Sequence, residues 1–101
     1  MPPWLPRVAK LMALAIRFEG LVRDGVVADY AELARLRHVT RARMSQIMSL
    51  LHLALDIQEA ILLLPRVESG KDPITERNIR PIAAIPDWQM QRREWRDLAS
   101  D

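Results

Sequence analysis

From Glu32 to Leu51 the chain reads ELARLRHVTRARMSQIMSLL, with four arginines and no acid after Glu32. This stretch is either one long basic helix or two short helices joined by a turn. A continuous helix is awkward at Val39-Thr40, where two β-branched residues fall in the middle and Thr is a good N-cap. A break before Thr40 satisfies the local preferences better. The expected elements are a helix from about Tyr30 to Arg37 and a second from Arg41 to about Leu53.

The apolar spacing supports that break. Two short helices crossing closely need a small residue on the first. They also need an apolar residue in the turn and two more on the second. Ala34, Val39, Met44 and Ile47 supply these types at offsets of five, ten and thirteen from Ala34. Those are the offsets of the DNA-binding helix-turn-helix. The turn of that motif commonly holds Gly, because one residue takes positive φ. Here the position falls on Arg37 or His38, with some strain expected.

The register makes Thr40, Arg41, Ala42, Ser45, Gln46 and Ser49 the outward, base-contacting side of the second helix. Arg and Gln can make paired hydrogen bonds to guanine and adenine edges, and the short side chains let the helix sit deep in the groove. Arg35, Arg37, His38 and Arg43 flank it and suit phosphates. Between Glu32 and Asp56 there is no acid, against four Arg and two His. The net charge of +2 and the pI of about 9.7 hide this concentration.

The rest of the chain is also patterned as helix. Val8, Leu11, Met12, Ala15, Phe18 and Val22 form one stripe, with Lys10, Ala13, Arg17, Gly20 and Asp24 opposite. This predicts a helix from about Pro6 to Arg23, ended near Gly25. Asp29 with Glu32 reads as a capping box, followed by Leu33, Ala34 and Leu36 inward. Asp56 with Glu59 reads as a second box, starting a helix that Pro65 stops. RVESGKDP reads as a solvated loop. Thr75 caps a short helix that Pro81 would kink or divide, and a last helix spans about 87–99. No run is a convincing strand; GVVADY is the nearest. The expected class is therefore all-α: one compact multi-helix domain over residues 1–101, its core at about 6–85, with a central helix-turn-helix.

Composition bounds the function. At 101 residues, half hydrophobic and 28% charged, the chain is globular and has room for one small domain. The absence of Cys excludes disulfides and thiolate metal sites and fits a reducing cytosol. MALAI and AILLLP are too short to span a membrane, and MPPWLPRVAK lacks the plan of a signal peptide, so a cytoplasmic protein is expected.

The run DYAELARLRHVTRARMSQIMSLLHLALDIQEAILLLP resembles the helix-turn-helix domain of ParB/KorB-type partition proteins. In that family a leucine-rich exit from the recognition helix, here SLLHLA, precedes a short helix, here DIQEAILLLP, and the polar start of another, here ITERNI. The resemblance spans about Phe18 to Ile85. It implies an all-helical domain that binds specific double-stranded DNA, with Thr40, Arg41, Ala42, Ser45 and Gln46 facing the bases. Leu55 stands where the family usually has Pro, and Pro81 interrupts a helix that is normally continuous. The family's arginine-rich nucleotide-binding motif has no counterpart, so no cofactor is expected. The chain is also similar to short proteins encoded beside bacterial site-specific recombinases, which suggests mobile DNA.

Nothing in the residues reads as an enzyme. His38 and His52 have no carboxylate or Cys at ligand spacing, so no metal is expected. Ser45 and Ser49 have no His–acid pair to activate them. Met12, Met44 and Met48 fit core positions, and Met90 is a further candidate for one. Trp88 and Trp95 share a helix face; either both indoles dock onto the first helix, which burial in a small domain favours, or they form a dimer seam or partner site. The expected function is sequence-specific DNA binding, as a regulator, a recombination accessory or a partition-like site binder. A homodimer or another DNA-bound protein would assist it. The alternative is an adaptor for a recombinase or a transcription component.

Overall fold

A computed structural model of the protein describes residues 5–67, 70 and 72–100. The architecture is all-α and is built round its first helix. In α1 (Arg7–Arg23) the predicted stripe is real: Val8, Met12, Ala15 and Phe18 are buried, joined by Ala9, while Leu11 and Val22 lie half-buried at its edges. The helix ends where Gly25 N–H donates to Val22 O and Val26 N–H to Leu21 O, with Gly25 at φ 76. This is a Schellman ending, which needs a left-handed residue.

The elements that follow are α2 (Tyr30–Leu36), α3 (Arg41–Met48), a 3₁₀ turn (Ser49–His52), α4 (Leu55–Leu62), α5 (Glu76–Ala83) and α6 (Trp88–Ala99). α1 packs against α2, α3, α4 and the 3₁₀ turn, while α5 packs against that turn and α6. GVVADY is a connection, not a strand, and it tucks Val27 into the core. Asp29 caps α2 as expected, its carboxylate accepting from Glu32 N–H at 2.8 Å. No helix among the described residues is long and apolar enough to cross a membrane.

Several expectations are corrected by packing. The helix begun at Arg41 does not continue to Leu53; it tightens after Met48. A 3₁₀ turn brings residues three apart onto one side, and here it buries both Leu50 and Leu53. Leu36 points outward, 57% exposed, because it lies roughly 200° round α2 from buried Ala34. Asp56 does not cap α4; Ala54 holds that position, and Asp56 instead accepts from Arg92 Nε at 2.9 Å. α5 is not divided at Pro81, whose ring faces solvent. The RVESGKDP loop is not wholly solvated, since Val67 is buried; Glu68, Ser69 and Lys71 of that stretch lie outside the described residues.

The last helix is attached differently from expectation. α6 packs on α5, not with both indoles on α1. Trp95 is half-buried against the core, but Trp88 and Met90 are 49% and 48% exposed. The anchor is Gln91, which is fully buried. Its Oε1 accepts from Ala54 N–H at 2.8 Å, and its Nε2 donates to Ile85 O at 2.8 Å and His52 O at 3.1 Å. Gln58, also buried, donates to Leu51 O and Leu53 O. These two amides satisfy the backbone where the 3₁₀ turn hands over to α4.

Candidate nucleic-acid interface

The α2–α3 pair is set by a turn of local origin. His38 N–H donates to Arg35 O at 3.2 Å and Val39 N–H to Ala34 O at 3.0 Å, with His38 at φ 57. This repeats the Schellman ending of α1, but with His where α1 has Gly. Thr40 then caps α3, its Oγ1 accepting from Arg43 N–H at 3.0 Å. Ala34, Met44 and Ile47 are buried, and Val39 packs against the core. The four spaced apolar residues therefore share the inward side, and the strain falls on His38.

The outward side carries five of the six residues proposed to face bases. Thr40, Arg41, Ala42, Ser45 and Gln46 are exposed. Ser49 departs from this group: it belongs to the 3₁₀ turn, is half-buried, and its hydroxyl donates to Gln46 O at 2.6 Å. Arg35, Arg37 and His38 are exposed as expected of phosphate contacts. Arg37 also sits over the Phe18 ring, its guanidinium carbon 5.5 Å from the centroid, which ties the end of α2 to α1. Arg35 and Arg41 have no ion-pair partner among the described residues.

Arg43 is different. Its Nη1 donates to Glu76 Oε2 at 2.6 Å and its Nη2 to Glu76 Oε1 at 2.9 Å, a two-pronged pair between α3 and α5. Nη1 also donates to Gln46 Oε1 at 3.1 Å. Hydrogen bonding to Arg43, aided by the charges of Arg43 and Arg80, holds the Glu76 carboxyl below the usual glutamate range. The same bond pushes the Arg43 guanidinium up. The window without acids in the sequence is thus not free of acids in space. No local spacing announces Glu76 at this place, because it arrives from 33 residues away. Beside the pair, Arg7, Arg77 and Arg80 line an open cleft with Asp72. Among the described residues no group of three or more His, Cys, Asp or Glu is placed to hold a metal.

No known protein family matches the chain, and no similar characterised protein or solved structure was found.

Proposed function

We propose that α2 and α3 act as a helix-turn-helix that binds specific double-stranded DNA, with α3 in the major groove. The observation that carries this reading is the two-sidedness of α3. Met44 and Ile47 are buried, while Arg41, Ala42, Ser45 and Gln46 stand exposed on a face with no large apolar residue. That face combines base-reading groups with side chains small enough for close approach. Arg35, Arg37 and His38 serve phosphates at its edge, whereas Arg43 serves Glu76 first. The resemblance to ParB/KorB-type domains supports the same role, as a regulator, recombination accessory or partition-like site binder in the cytoplasm. Selection of bound duplexes from a random pool tests it. One enriched motif is expected; recovery of unrelated sequences would reject specific reading.

A second reading has its own observation. Trp88 and Met90 on α6 are about half exposed, as an adaptor gripping a partner protein would display them. A pool that enriches nothing, with DNA binding no stronger than any basic protein's, would favour it.

A further inference from the structure

Gln46 does not present a whole amide to solvent. Arg43 Nη1 donates to Gln46 Oε1, and the same guanidinium is held at both prongs by Glu76. Chemistry fixes the orientation: a guanidinium only donates, so it meets the carbonyl oxygen and turns the amide NH2 away. Glu76 is itself well placed to hold this arrangement. It is the first residue of α5, whose start is fixed by Asn78 Oδ1 accepting from Thr75 N–H at 3.0 Å, and its side chain is only 20% exposed.

We propose that Glu76, acting from α5 through Arg43, sets which base Gln46 reads, by occupying one lone pair of the amide oxygen and holding a positive charge against the other, while its NH2 stays free to donate. This rests on the DNA-reading role of α3 proposed above. Paired recognition of adenine needs the Gln oxygen to accept from the N6 amino group while the NH2 donates to N7. Here that oxygen is already engaged by a cationic donor, and a second donor approaching it meets the charge of Arg43. Guanine offers N7 and O6, both acceptors, and suits an amide whose NH2 is its unhindered half. Gln46 therefore prefers guanine to adenine. Arg43 and Glu76 are positioning residues, and neither has to touch DNA. Without Glu76, Arg43 is released toward a phosphate, and Gln46 regains both halves of its amide.

The test is selection from a random duplex pool with the full chain and with Gln46→Ala, Glu76→Ala, Arg43→Ala and the Glu76→Ala/Gln46→Ala double variant. Folding of each is checked by circular dichroism. Gln46→Ala is expected to erase the preference at one position of the motif, where the parent favours guanine over adenine by about tenfold. Glu76→Ala and Arg43→Ala are both expected to move that position to adenine, although they change the net charge in opposite directions. The double variant is expected to match Gln46→Ala alone. A merely structural ion pair would change affinity or stability and leave the base preference where it was. If Gln46→Ala erases the preference and the folded positioning variants keep guanine, this inference is overturned while DNA reading by α3 stands. Should Glu76→Ala not fold, Arg43→Ala alone decides it. If no position responds to Gln46→Ala, the reading role of Gln46 falls, and this inference with it.

Discussion

His38 carries the conformational cost of the turn between α2 and α3. Its φ of 57 lies in the left-handed region, where an L side chain costs roughly 1–2 kcal/mol. Gly25 occupies the equivalent place after α1 without that penalty. His38→Gly is therefore expected to stabilise the protein by about 0.5–1 kcal/mol, the gain reduced by the greater freedom of Gly when unfolded. Urea denaturation measures this; destabilisation would mean that the imidazole itself holds the turn. Glu76 gives a pH dependence. Its carboxyl is held low in the folded state, so the stability it adds is fully present above its unfolded value, about 4.3, and is lost as the pH falls through the folded one. The Arg43–Glu76 pair is partly exposed, so about 1 kcal/mol is expected after screening. The stability difference between the parent and Glu76→Ala should shrink from pH 7 toward pH 3. A difference that stays constant would show that the charge of Glu76 contributes nothing.

At the scale of elements, what could be read from the sequence was what is local. The break before Thr40, the Asp29 cap and the inward Met44 and Ile47 all rest on residues within one turn of helix or one crossing. What could not be read depends on partners brought together by packing. Gln91 reaches Ala54 across 37 residues, and nothing about a Gln in a polar helix marks it for burial. The candidate site divides in the same way: its exposed face followed from α3's own register, and the Arg43–Glu76 link did not. The attachment of α6 is consequently expected to depend on an amide more than on an indole. Gln91→Leu would strand Ala54 N–H and the carbonyls of Ile85 and His52. At about 1–3 kcal/mol per buried unpaired group, a loss of about 3 kcal/mol or more is expected. Trp88→Ala, at an exposed indole, should cost less than about 1 kcal/mol. Thermal or urea unfolding of the two variants checks this; the reverse order would contradict the assigned anchor.

For the whole molecule, the proposed reading surface is a single helix and the net charge is a modest +2. One helix-turn-helix makes few base contacts, so a single copy should bind specifically only weakly. Two copies on one face of a duplex would set half-site centres about 10 base pairs apart, or a multiple of that. In the proposed complex the exposed face of α3 reads bases while Arg35 and Arg37 hold the phosphate backbone. Titration of the parent and of Arg41→Ala on a selected duplex and on its scrambled version, at several salt concentrations, separates the two roles. Arg41→Ala is expected to lose about 1–3 kcal/mol on the selected duplex and little on the scrambled one. Arg35→Ala run beside it should weaken both duplexes alike and flatten the salt dependence. If Arg41→Ala bound both duplexes as the parent does, α3 would not be the reading helix.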